Sequence, residues 1–159
     1  MTARRGPRRI SIRQHPRPVP FRSGRLRSLV RKALMQVARD AADVRILVVD
    51  DAEMRAWNRR FLNRPRTTNV ISFPEKEPCD AEPGTLSGDI LVSAPTCLRQ
   101  TRNWPGSPEE RVLYFIVHGL LHLAGYDHEQ GREEARRMRR AEMEVYLRSL
   151  GSRPEGARV

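Results

Sequence analysis

Apolar positions at three- and four-residue spacing run from Ser23 to Ala38, through Leu26, Leu29, Val30, Ala33, Leu34 and Val37. That period predicts an amphipathic helix with a basic outer face. Ile46-Leu47-Val48-Val49 is a short β-branched run ended by Asp50-Asp51, which predicts a strand and then a helix cap. A second helix is expected over Ala52 to Phe61, followed by loop at Asn63-Arg64-Pro65-Arg66. Asn69 to Phe73 predicts another strand closed by Pro74, and Asp89 to Ser93 a third. Residues 75 to 87, acidic and rich in Pro and Gly, are expected to form an exposed loop. Nearer the start, Arg9-Ile10-Ser11-Ile12-Arg13 alternates as a strand does, and Pro16, Pro18 and Pro20 make a connector.

The next helix carries a full set of start signals. Ser107 is an N-cap, Pro108 takes the first helical position, and Glu110 stands three residues after the cap. Val112 to Leu123 is apolar nearly all round, so this helix should lie at the centre of the core. Gly125 ends it. A last helix, roughly Glu133 to Leu150, has a modest stripe of Ala135, Met138, Ala141 and Val145 and stops before Gly151. Strands and helices alternate only in part, which predicts an α+β single domain: a small mixed sheet packed with helices, the histidine-bearing helix buried in the core. Its divisions are a basic Arg/Pro-rich segment over residues 1–22, partly a strand; a compact domain over 23–150; and a tail over 151–159.

Length and composition narrow the class. At 159 residues, one domain fits, with enough chain to build a core without disulfides. No apolar run reaches the length of a membrane-spanning helix, and the basic start lacks the apolar stretch of a secretory signal. Cys79 and Cys97 are too few for a disulfide framework or a thiolate zinc site. These features predict a soluble, cytoplasmic protein. The net charge of +11 sits at the start: Met1 to Lys32 holds 11 basic residues and no acidic one. Such a segment attracts polyanions, phosphate backbones above all, although a chain with 28 Arg and 2 Lys also fits an Arg-favouring codon bias.

Three of the four histidines fall within 11 residues. His118 and His122, four apart on the apolar helix, project from one face, one turn from each other. Gly125 lets the chain turn back so that His128 can join them. Three imidazoles round one divalent ion, with a fourth position open, is the arrangement of a catalytic zinc site. Nickel or copper would suit the same ligands. A lone histidine on an apolar helix is usually a satisfied core residue, but two in register and a third after a glycine turn are not explained that way. His-x-x-x-His-x-x-Gly-x-x-His is also the spacing of metzincin proteases, which place a general-base glutamate directly after the first histidine. Here that position is Gly119, which argues against a peptidase. Asp127 and Glu129 flank His128; either could orient a ligand or accept a proton, and Asp127 is the weak candidate for a catalytic group.

The segment His118-Gly119-Leu120-Leu121-His122-Leu123-Ala124-Gly125-Tyr126-Asp127-His128 resembles the signature of the YbeY family of endoribonucleases and ribosomal RNA maturation factors. Thr68-Asn69-Val70-Ile71-Ser72-Phe73-Pro74 and Gly88-Asp89-Ile90, read as opening a strand, resemble the same family in order and spacing. The resemblance covers about residues 42 to 150. It implies a single-strand-specific, metal-dependent endoribonuclease acting in small-subunit ribosomal RNA maturation, at the three-prime end, and in ribosome quality control. It further implies one zinc ion on His118, His122 and His128. The family often carries an arginine at the position of Leu62 here; Arg60, Arg64 and Arg66 surround that place and are candidate phosphate contacts.

Expected partners are therefore single-stranded RNA, ribosomal RNA or the small ribosomal subunit, with no membrane and no DNA specificity. Aromatic residues make up 6% of the chain and no stacking platform is evident, so sequence-specific reading of bases is not expected. Two rival readings remain: a metal-stabilised RNA-binding assembly factor without significant catalysis, and a metalloprotease.

Overall fold

The computed structural model describes residues 6–15, 21–77 and 80–151. Four strands and five helices follow in the order β1 (Arg8–His15), α1 (Ser23–Val37), β2 (Ala41–Val49), α2 (Asp51–Leu62), β3 (Val70–Pro74), β4 (Thr85–Ser93), α3 (Ala94–Gln100), α4 (Pro108–Leu123) and α5 (Arg132–Leu150). The sheet order is β1-β2-β4-β3. β1, β2 and β4 run parallel, and β3 pairs antiparallel with β4 at the edge. This is the expected α+β architecture with a mixed sheet. β1 lies inside the stretch read as a basic N-terminal segment and closes the opposite edge of the sheet.

Strand alternation sorts the two faces. Ala42, Val44, Ile46 and Val48 of β2, with Leu86, Ile90 and Val92 of β4, point into the main core beneath α1, α4 and α5. Val49, Ile71 and Leu91 point the other way, onto Met54 of α2. α4 is buried as its composition requires: Val112, Leu113, Ile116, Val117 and Leu120 are fully enclosed. Burial of each such aliphatic side chain contributes roughly 1.5–3 kcal/mol.

The start of α4 is fixed as predicted. Ser107 accepts from the Glu110 N–H at 3.3 Å, and the Glu110 carboxylate accepts from the Ser107 N–H at 2.9 Å. Glu109, in the same turn, reaches across to accept the Arg22 backbone N–H at 2.6 Å. It thereby supplies the cap that α1 lacks from its own sequence, because Arg22 has no capping side chain. α1 and α4 are thus pinned at matching ends.

Two elements differ from expectation. β4 begins at Thr85, four residues before Asp89, because Thr85-Leu86-Ser87 pairs with Ala41-Ala42-Asp43 of β2. Gly88 is therefore inside the strand. Its φ of 153°, and a Cβ that would lie 2.5 Å from the Phe73 carbonyl oxygen, exclude other residues there. α3 had no periodic signal, being only seven residues long; Ser93 caps it by accepting from the Thr96 N–H. Cys97, on α3, is buried and unbridged, and burial pushes its thiol pKa up. Cys79 lies outside the described residues. No helix of the described residues is long and apolar enough to cross a membrane.

Candidate metal centre and adjoining pocket

His118 and His122 occupy one face of α4, and the turn at Gly125, with φ of 92°, brings His128 back beside them. Their ring centroids are 4.6, 5.1 and 5.4 Å apart. One nitrogen from each ring lies within 4.8 Å of the others. The Nε2 atoms of His118 and His122 face each other at 3.0 Å. Two imidazole nitrogens bound tetrahedrally to one zinc are about 3.3 Å apart, given zinc–nitrogen bonds of about 2.0–2.1 Å. The donor set present fits a single metal ion.

A fourth residue at this centre was not among the sequence candidates. Glu142 of α5, buried, is hydrogen-bonded to His118 Nδ1, and its other oxygen accepts from the Tyr114 hydroxyl at 2.9 Å. A carboxylate on Nδ1 holds the Nδ1–H tautomer and leaves Nε2 with its lone pair directed at the ligand position. The clue in the sequence is register: Glu142 stands in line with Met138, Val145 and Ser149, all buried, so a carboxylate occupies the apolar stripe of α5. Burial lowers the His122 pKa, with the neighbouring His118 and His128 adding to the effect, so it is neutral and able to ligate at neutral pH.

Asp127 and Glu129 do something else. The Asp127 carboxylate accepts the Glu129 backbone N–H at 2.8 Å, an Asx turn that shapes the approach to His128. That bond holds its carboxyl below the usual range, and its side chain reaches no histidine within hydrogen-bonding distance. Gly119 faces the sheet: a Cβ would stand 3.0 Å from Ile90 Cγ2 and from Ser72 Oγ. Ser72 also donates to the Gly119 carbonyl at 3.2 Å. The glycine lets α4 settle onto β3 and β4, which explains why no glutamate stands there.

A pocket of about 370 Å³ opens beside the centre, lined by His118, His128, Tyr114, Glu142, Asn69 and Arg139 among others. Asn69, from the family-like Thr-Asn-Val segment, is held by its amide donating to Gln100 at 2.9 Å. Arg60, Arg64 and Arg66 do not line this pocket. All three are exposed, on α2 and the loop after it, and Leu62 is 45% exposed. The loop is anchored by Asn58, whose amide donates to the Arg66 carbonyl at 2.5 Å and whose carbonyl accepts from the Arg64 N–H at 3.3 Å. The structure also assembles aromatics that the sequence leaves scattered. Trp57 stacks on Phe61 at 5.0 Å, Phe73 meets Phe61 edge-on at 5.6 Å, and Arg60 lies 5.3 Å over the Phe61 ring.

A mixed sheet beneath a buried helix, with three histidines clustered beside an open pocket, defines an α+β domain with a site able to hold a metal ion. The family model described as "Endoribonuclease YbeY" matches residues 10–150, so the chain belongs to that family. An Endoribonuclease YbeY of Syntrophotalea carbinolica is 48% identical over 67% of this chain and 73% of its own. That of Aquifex aeolicus is 32% identical over 93% and 95%. The solution structure of TM1509 from Thermotoga maritima superposes with a TM-score of 0.64 at 26% identity, covering 90% of each chain.

Proposed function

We propose that this protein is a metal-dependent endoribonuclease of single-stranded RNA, cutting small-subunit ribosomal RNA near its three-prime end in the cytoplasm and so serving ribosome maturation and quality control. The observation that carries this reading is the meeting of three imidazole nitrogens, within 4.8 Å of one another, at the wall of an open pocket. His118, His122 and His128 hold one divalent ion, zinc by preference for three neutral imidazoles, with nickel an alternative. Such an ion supplies polarisation of a phosphoryl oxygen and a water of lowered pKa. Glu142 keeps His118 in the ligating tautomer, and Tyr114 holds Glu142 in turn. Asp127, with its carboxyl held below the usual range by a backbone N–H, is a poor proton acceptor at neutral pH. Arg60, Arg64 and Arg66 bind RNA backbone at a distance from the reacting bond, without reading sequence.

The test is cleavage of end-labelled small-subunit precursor RNA by metal-loaded protein beside a His118→Ala/His122→Ala variant purified identically. Cutting by the wild type alone, abolished by chelator, supports the nuclease. Equal cutting by both overturns it. If neither cuts yet both bind the RNA, the protein is an assembly factor whose metal serves the fold.

A further inference from the structure

Among the described residues that line the pocket beside the histidines, one is an arginine or lysine, Arg139. It is exposed on α5, and among the described residues no hydrogen bond or ion pair engages its side chain. Two other arginines of the same helix are committed elsewhere. Arg137 pairs with Glu134 at 3.5 Å and lies 5.0 Å over the Tyr126 ring, and Arg148 pairs with Glu144 at 2.8 Å. The one carboxylate among the described residues of the pocket, Glu142, is already taken by His118 and Tyr114. The pocket therefore presents a free guanidinium, an engaged carboxylate and an array of imidazoles, which together favour an anion with more than one acceptor oxygen. Arg136 stands three residues earlier on the same face of α5 and is also exposed. It continues the positive ridge away from the pocket toward the helix start.

We infer that Arg139 is a substrate-binding residue: its guanidinium grips a phosphate of single-stranded RNA next to the phosphodiester held at the histidine centre, and Arg136 takes the following backbone. The assignment rests on the nuclease reading and extends it, giving the strand a direction across the molecule, along α5, rather than over the Arg60–Arg66 loop alone. Because the planar fork of arginine matches two phosphate oxygens at once, lysine is a partial substitute at best.

The experiment compares wild type, Arg139→Gln, Arg139→Lys and, as a control for loss of one charge on the same helix, Arg148→Gln. Binding of a labelled single-stranded oligoribonucleotide is read by anisotropy across a salt series. Cleavage kinetics, metal content and circular dichroism are recorded on the same preparations. Removal of a charge-assisted hydrogen bond predicts about tenfold weaker binding for Arg139→Gln, a matching rise in KM and kcat within a few-fold. The log–log salt slope should fall by about 0.7, with partial recovery in Arg139→Lys and no more than about twofold change in Arg148→Gln. If Arg139→Gln and Arg148→Gln weaken binding equally, or if Arg139→Gln cuts with unchanged KM, this inference is wrong while the nuclease stands. If no preparation cuts but Arg139→Gln alone binds poorly, the phosphate site stands and the nuclease reading falls. Loss of metal by Arg139→Gln would make the residue structural and overturn its assignment to substrate.

Discussion

α4 and the segment from Asp51 to Asn69 both carry residues singled out for RNA chemistry, yet they are held in opposite ways. α4 is fixed along its whole length: a capping box at its start, a bond from the Arg22 N–H at the start of α1 to its Glu109, apolar contact on nearly every side, and Gly119 seated on the sheet. The second segment is held at separate points, with Met54 in the core and Asn69 bonded to Gln100. Asp51 ties its start to β4 and α3 through Ser93 and Thr96, each 2.6 Å away, and through Arg99 at 2.7 Å. Asn58 ties its end, and between and beyond these points the arginines are exposed. The difference matches the roles proposed for the two regions. Ligands of one ion must be placed within a fraction of an ångström, and two of the three candidates, His118 and His122, sit on a buried helix with a supporting carboxylate. Contacts to a phosphate backbone tolerate mobile side chains, since charge and reach suffice.

The largest effect expected from testing that contrast is at the support of the rigid region. Glu142→Gln keeps the shape of the side chain and removes the charge that stabilises the His118 tautomer. Metal affinity, measured by competition with a chromophoric chelator, should fall ten- to a hundredfold, as is typical when such a partner of a ligating histidine is removed. Unchanged affinity would mean that packing alone orients His118, and that α4 needs no supporting carboxylate to place its ligands.

Asp51 tests the tied end of the looser segment. Burial works against its ionisation, but hydrogen bonds from Arg99, Ser93 and Thr96 prevail and bring its pKa from 3.8 to about 2. That depression is worth about 2 kcal/mol. A carboxyl whose pKa is lower in the folded protein stabilises it above the unfolded value, and this contribution disappears as pH falls from about 4 through about 2. Asp51→Asn should therefore be less stable than wild type by about 2 kcal/mol at pH 7, with the gap closing toward pH 2 in denaturant titrations. A gap that stays constant across that range would show that the carboxylate charge does not lock α2 to β4.

The same contrast explains what the sequence disclosed. α1 was legible to within a residue at its end, and α4 was legible with its cap, its burial and its histidines, because those signals are local: period, capping residues, a glycine after the last turn. The starting point of β4 was not, since Thr85-Leu86-Ser87 reads as loop until β2 is beside it. Glu142 stands fourteen residues beyond His128 on another helix, and only the apolar stripe around it hinted that it points inward. Trp57 and Phe61 come from a helix and Phe73 from a strand, twelve residues beyond Phe61, so the aromatic cluster has no signature in composition. Tertiary contact, not propensity, decides each of these.

The smallest expected effect falls on the exposed loop itself. Arg64 and Arg66 contribute backbone groups to the Asn58 anchor, while their side chains are exposed. Removing both side-chain charges, as Arg64→Gln/Arg66→Gln, leaves the anchor intact. Surface changes of this kind stay within about 0.5 kcal/mol, so Tm should move by no more than about 2 °C. Binding of single-stranded RNA should weaken only a few-fold, and the log–log salt slope should fall by about 0.7 for each phosphate no longer neutralised. KM rises with the weaker binding and kcat holds, because these side chains stand outside the pocket. A slope identical to wild type would make the loop an ordinary solvated surface and leave α5 as the only basic track toward the histidines among the described residues. A fall in kcat would mean that the loop reaches the reacting bond, and the division between a placed centre and a loosely held backbone grip would have to be abandoned.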